Sequence, residues 1–192
     1  MTPSRLRLLC FALLAATAGG LFLGWSQTWF TLGLDRQTVT VAGSVAAGAL
    51  PPLALVSLAM ILALALAGTV FRVVLGALQA LVGVGAIVAS AFALARPAVV
   101  SSEAITKATG ISGTGTPALV HTVAATGWPV VAVAAGALGA LTGLLVVVTA
   151  RAWPVSGRRF TRTRAAAAGP VDDPVQEWDA LSEGDDPTRP TP

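Results

Sequence analysis

The sequence has few charged residues, and long stretches have none. Asp, Glu, Lys and Arg make up only 11% of its 192 residues, whereas soluble domains carry about 25%. The stretches without charge lie between Arg7 and Asp35, Arg36 and Arg72, Arg72 and Arg96, and Lys107 and Arg151. Each exceeds the roughly 20 residues that a helix needs to cross a bilayer. Because 55% of the residues are hydrophobic, we predict membrane-spanning helices rather than a soluble fold.

Residues that usually carry chemistry are also scarce. The single cysteine, Cys10, excludes an intramolecular disulfide and a multi-cysteine metal site. His121 has no cysteine or acidic neighbour in sequence, so we interpret it as a surface residue rather than a metal ligand or general base. No plausible base lies beside Ser101, Ser102 or Ser112, and no glycine-rich phosphate loop follows a strand pattern. We therefore expect no enzymatic activity, cofactor or metal.

The hydrophobic stretches predict an all-α polytopic membrane domain over residues 1–150. Its four spans, arranged as two antiparallel hairpins, are expected at about 6–24, 49–69, 73–95 and 128–150. Pro51 and Pro52 fit the first turn of the second span, where missing amide hydrogens cost little. Phe71 and Arg72 would form the short turn before the third span. The first span could instead be a signal peptide, but its length and a poor cleavage site favour an uncleaved anchor.

Basic residues beside the spans predict the orientation, because cytoplasmic flanks hold an excess of Lys and Arg. One side would gather Arg5, Arg7, Arg72, Arg151, Arg158, Arg159, Arg162 and Arg164, and the other Arg36, Arg96 and Lys107. This orientation predicts that both termini lie in the cytoplasm. Eleven arginines against one lysine and the absence of asparagine and tyrosine are typical of a GC-rich bacterial genome, so we expect the chain in a bacterial plasma membrane. Trp25, Trp29 and Trp128 at outer ends and Trp153 at an inner end favour headgroup anchoring over ligand binding.

Small residues at helical spacing mark the fourth span. They form two rows, Ala132, Gly136, Ala140 and Ala135, Gly139, Gly143. Such rows let helix backbones approach closely, either within the chain or in a homo-oligomer. Apart from Arg7 at the start of the first span, the predicted spans contain no acidic, basic or histidine residue, which disfavours a proton-coupled carrier.

The remaining residues, 151–192, form a predicted cytoplasmic tail that is basic and then acidic. The candidate headgroup contacts are Arg151, Trp153, Arg158 and Arg159, although fixing the topology would explain these arginines equally well. We expect the lipid bilayer, and no nucleic acid, to be their partner.

The acidic part of the tail could bind a cytoplasmic protein. Asp173 fits a helix N-cap, Trp178 and Leu181 would share one face, and Gly184 would end the helix. The candidate docking residues are Asp173, Trp178, Leu181, Gly184, Asp186 and Pro187. About ten residues are too few for a stable isolated helix, so we expect a largely disordered segment that folds on a partner. The alternative is a solvated tail without a partner.

Two tail segments carry a family resemblance. Residues 151–160 (RAWPVSGRRF) and 178–188 (WDALSEGDDPT) resemble the two cytoplasmic signatures of the actinobacterial tryptophan-associated transmembrane protein family. The 72–76 segment and Trp25 are similar as well, whereas Phe160 replaces a tyrosine that members commonly have. The resemblance implies a gene context with tryptophan biosynthesis, and no catalytic residue or cofactor.

The residue pattern predicts a non-enzymatic membrane accessory protein, and the resemblance implies its link to tryptophan biosynthesis. The alternative is a transporter or export subunit for tryptophan or an aromatic precursor. Because the predicted spans lack a polar lining, such a transporter would need an oligomeric pore.

Overall fold

The computed structural model describes residues 3–35, 37–111, 113 and 115–153. Its helices are α1 (Pro3–Ser26), α2 (Gly43–Ala46), α3 (Leu50–Leu66), α4 (Thr69–Ala95), α5 (Pro97–Val100), α6 (Ser102–Thr109) and α7 (Trp128–Thr149), with 3₁₀ turns at Thr116–Leu119 and Ala150–Ala152. Its strands are β1 (Thr28–Gly33), β2 (Thr38–Ala42) and β3 (Thr122–Ala125).

The four long helices form a ring of antiparallel neighbours. Both α1 and α4 pack against α3 and α7. Each helix is thus next to the one that follows it in the chain, as the predicted hairpins require. Two hydrophobic clusters fill the bundle: one near the sheet includes Leu21 and Leu50, and one at the opposite end includes Leu14 and Leu64.

Three of these helices are long and apolar enough to cross a membrane: Ser4–Ser26, Thr69–Ala95 and Trp128–Ala152. The helix α3 has 17 residues, which at 1.5 Å per residue is about 26 Å and near the lower limit for a span. Its outer face nevertheless exposes Leu62 and Leu66, by 72% and 90% respectively. Those side chains need apolar surroundings that the described residues do not supply.

The turn between α3 and α4 differs from the prediction. The break falls at Ala67 and Gly68, both in extended conformation, whereas Phe71 and Arg72 belong to the first turns of α4. The amide of Arg72 donates to the carbonyl of Gly68. The charge of Arg72 predicts the end of a span, but its side chain is only 4% exposed, because the protein buries its guanidinium against Trp153.

The all-α prediction is wrong for the connections at one end of the bundle, which form a three-stranded antiparallel sheet of order β2-β1-β3. The alternation of Thr and Val over residues 38–41 belongs to β2, and β-branched residues favour strands. The outer strand β3 is fully exposed and rich in alanine, which explains why its sequence gives no strand signal.

A bulge in β1 buries two consecutive aromatic residues. The pairing of β1 with β2 shifts register between Thr28 and Phe30, so Trp29 and Phe30 are 0% and 1% exposed. The indole of Trp29 donates to the carbonyl of Gly24 at 2.6 Å, near the end of α1. Its burial contradicts the prediction that Trp29 anchors the chain at headgroups. Trp25 and Trp128 are half-buried, and their anchoring role stays a prediction.

The small residues of α7 pack tightly on both sides, as predicted. A methyl group added at Gly143 would lie 2.6 Å from the carbonyl oxygen of Gly76 in α4, and one added at Gly139 would lie 2.8 Å from Thr17 in α1. Gly83 in α4 approaches the carbonyl of Gly136 equally closely. Helices of the same chain therefore cover both rows of small residues, which confirms packing within the chain rather than in a homo-oligomer. A homo-oligomer would have to use another surface.

Candidate functional site

An arginine and aromatic cluster lies at the end of the bundle opposite the sheet. The guanidinium carbon of Arg72 lies 5.4 Å from the ring centre of Trp153, and its Nη1 donates to the Trp153 carbonyl at 3.4 Å. Phe11 meets the indole edge-on at 6.1 Å, and the guanidinium carbon of Arg7 lies 6.0 Å from the Phe11 ring centre. Cation–π contacts of this kind stabilise desolvated arginines.

Trp153 is consequently part of the protein interior. Its side chain is 2% exposed, and its indole nitrogen donates to Thr149 at 3.2 Å. The prediction that Trp153 contacts headgroups is therefore wrong, because protein rather than lipid covers the ring. Arg151 is exposed, and its predicted headgroup contact stays a prediction.

A pair of polar side chains lies inside the bundle between α3 and α4. Gln79 and Ser57 are both 0% exposed. The amide nitrogen of Gln79 donates to Ser57 Oγ at 3.1 Å, and Ser57 donates in turn to the carbonyl of Leu53. Among the described residues, Gln79 Oε1 has no hydrogen-bond partner. Polar groups buried at membrane depth are costly and often mark function.

The polar pair lies about 15 Å along α4 from its first residue, since each helical residue rises 1.5 Å. Thr17 of α1 and Gln79 of α4 both lie beside Gly139 of α7. Since Ser57 of α3 bonds to Gln79, all four long helices contribute a residue at this level. The predicted absence of polar lining thus overlooked a small polar layer. A glutamine within an apolar stretch is the sequence signal that could have indicated it.

A pocket opens at the sheet end of the bundle. Its volume is about 570 Å³, within the range of small-molecule sites. The lining side chains include the apolar Leu34, Ile111 and Leu119 and the polar Asp35, Gln37 and Thr109. The turn after β1, the end of α6 and the 3₁₀ turn at Thr116–Leu119 supply these residues. Gln37 Nε2 donates to the carbonyl of Ala108 at 3.0 Å, which ties two walls of the pocket together.

His121 lies beside this pocket and has an acidic partner that its sequence neighbours do not reveal. Pairing of β1 with β3 brings His121 Nε2 to 2.8 Å from Asp35 Oδ1. The imidazole is 57% exposed, so its predicted surface position is confirmed. Nowhere in the described part of the chain do three His, Cys, Asp or Glu side chains gather as metal ligands would.

A second charged pair lies on α6, outside the pocket. Lys107 Nζ is 2.7 Å from Glu103 Oε1. This hydrogen bond, together with the charge of Lys107, holds the pKa of Glu103 below its usual value. Because both side chains are mostly exposed, the pair contributes little to stability.

Comparison with known families shows which protein family the chain belongs to. Residues 11–188 match the model of the family described as tryptophan-associated transmembrane protein. The chain belongs to this family. No curated protein and no solved structure matches it.

Membership in the tryptophan-associated transmembrane protein family makes the chain a membrane protein, in agreement with its three long apolar helices. The match covers the polar pair, the pocket and most of the tail. The predicted docking residues Asp173, Trp178, Leu181, Gly184, Asp186 and Pro187 lie outside the described residues, as do Arg158 and Arg159. Their roles stay predictions.

Proposed function

We propose that the chain is a non-enzymatic membrane accessory protein linked to tryptophan biosynthesis in a bacterial plasma membrane. The observation that carries the accessory role is the close packing of α7 against both α1 and α4, whereas support for the link to tryptophan comes from the family. Gly83, Gly136 and Gly143 leave no room even for a methyl group between α4 and α7. Such packing suits a rigid scaffold that presents its ends, and it disfavours a solute path through a single bundle.

The proposed topology has four crossings, with both termini in the cytoplasm. Its support is the grouping of charges at the two ends of the bundle. Arg7 and Arg72 share one aromatic cluster at one end, whereas Asp35 and Lys107 belong to segments at the sheet end. Since the excess of basic residues marks the cytoplasmic side, the Arg72 end would face the cytoplasm and the sheet would face outward.

On the cytoplasmic side, the tail would dock a protein partner. Trp178 would be its anchor, because a buried indole often dominates a small interface. The test compares the cytoplasmic proteins that co-purify with the full wild-type chain and those that co-purify with the Trp178→Ala variant. Docking predicts that a partner is lost in the variant while membrane insertion is unchanged. An identical set of partners would contradict it.

A transporter or export subunit is the second candidate, and the buried Gln79–Ser57 pair favours it. An amide oxygen without a partner could hydrogen-bond a solute, although the packing around it would require an oligomeric path or a helix rearrangement. Gln79→Met removes that oxygen at nearly constant volume, so it is the matched variant for this alternative.

Two measurements together separate the candidates. The first is growth of a deletion strain without tryptophan and with supplied tryptophan, and the second is flux of labelled tryptophan into liposomes containing the purified chain. An accessory role predicts a growth defect that tryptophan relieves, with flux equal to that of empty liposomes. Flux that Gln79→Met abolishes would establish the transporter instead. Normal growth of the deletion strain would contradict the link to tryptophan.

A further inference from the structure

The pocket at the sheet end combines an apolar wall with a charged side chain, and together they select the kind of ligand. Leu34, Ile111 and Leu119 form an apolar wall, and Asp35 is the charged side chain among the lining residues that the structure describes. A small molecule with an apolar body and a positively charged group would satisfy both parts, because the carboxylate would pair with the cation while the wall covers the body.

The position of Asp35 leaves part of its carboxylate for such a ligand. Oδ1 lies 2.8 Å from His121 Nε2, and no described residue bonds to Oδ2. The side chain is 82% exposed, so a ligand can reach it without moving the sheet. His121 holds the carboxylate on the sheet side, since its amide donates to the carbonyl of Gly33 at the end of β1.

We propose that this pocket binds a small amphipathic monoamine, with its ammonium group on Asp35 and its apolar body against Leu34, Ile111 and Leu119. A metal ion fits poorly, since the described residues bring no third ligand side chain to Asp35 and His121. An anion would meet the Asp35 charge. The proposal does not depend on the accessory role or on the link to tryptophan.

Three probes with nearly the same body and different charge test the proposal: 2-phenylethylamine, 2-phenylethanol and 3-phenylpropionate. Their binding to the full chain in nanodiscs is measured by calorimetry in a buffer without amines, and binding to empty nanodiscs is subtracted. The amine should bind about two- to fivefold more tightly than the alcohol or the carboxylate, the range expected for a mostly exposed ion pair. Equal binding of all three, tighter binding of the carboxylate, or no binding of millimolar amine would overturn the proposal.

Variants then locate the bound amine. Asp35→Asn should weaken amine binding about two- to fivefold and leave alcohol binding unchanged, whereas Leu119→Ala should weaken both. Glu103→Gln is the matched control, because it removes an exposed carboxylate of the same end that does not line the pocket. Asp35→Glu keeps the charge and should retain more affinity than Asp35→Asn. Equal losses in Asp35→Asn and Glu103→Gln would place the amine elsewhere.

Discussion

Glycines at the helix contacts are the residues that determine how closely the bundle packs. At Gly83 an added methyl group would meet the backbone of Gly136 and Ala140, whereas at Gly19 in α1 it would meet nothing within 4 Å. The same substitution should therefore have opposite effects at the two positions. Alanine favours a helix over glycine by about 0.5–1 kcal/mol, and overpacking costs about 1–3 kcal/mol.

Gly83→Ala should lower the free energy of unfolding by about 1–3 kcal/mol because two helix backbones must separate. Gly19→Ala should leave it unchanged or raise it slightly. Unfolding of both variants in detergent, followed by circular dichroism, provides the comparison. Similar stability of the two variants would contradict the close contact between α4 and α7.

Gln79 and Ser57 make unequal contributions because one atom of the pair has no partner. Gln79→Met removes the unbonded Oε1 together with the hydrogen bond from Nε2 to Ser57. Because these two effects on stability oppose each other, it should change the free energy of unfolding by no more than about 1 kcal/mol. Ser57→Ala leaves the buried amide nitrogen of Gln79 without its acceptor, and it should cost about 1–3 kcal/mol. The same unfolding measurement applies. A loss of stability in Gln79→Met as large as that in Ser57→Ala would contradict this difference between the two variants.

At the scale of elements, contact between Arg72 and Trp153 ties the start of α4 to the residues that follow α7. A double-mutant cycle with Arg72→Met and Trp153→Leu should give a coupling free energy of about 0.5–2 kcal/mol. The reason is that a guanidinium within a buried cluster gains from the facing indole. Additive effects of the two substitutions would show that the contact between the indole and the guanidinium contributes no coupling free energy.

The elements differ in how far the sequence could predict them. Pro51 and Pro52 correctly indicated the start of α3, and the small rows of α7 correctly indicated a tightly packed helix. The sheet could not be predicted, because β3 pairs with a strand about 90 positions earlier in the sequence and its own residues are small and exposed. Arg72 misled the prediction, since its charge is offset by an aromatic ring that only the fold brings near it.

The pocket and the charged pair beside it could not be predicted from the sequence either. Asp35 and His121 are isolated in sequence, and only strand pairing makes them partners. The pocket joins segments from three parts of the chain, none of which carries a recognisable motif. Tail signatures indicated the family correctly, because a family resemblance rests on local sequence, whereas a pocket rests on contacts between distant residues.

At the scale of the whole molecule, four crossings require that α3 spans the bilayer. Three long helices alone would place the sheet connections on opposite sides, yet β1 pairs with both β2 and β3. Residues on either side of α3 must therefore lie at opposite ends of the bundle. The exposed leucines of α3 support the same conclusion, because only lipid or a partner could cover them.

Cysteine labelling in intact cells tests this claim most directly. The background is Cys10→Ser, and single cysteines replace Ser44 before α3, Gly68 after it and Lys107 in α6, all of which are exposed. A maleimide that cannot cross the membrane should label positions 44 and 107 in intact cells and position 68 only after lysis. Labelling of positions 44 and 68 from the same side would show that α3 does not cross and would contradict the four-span account.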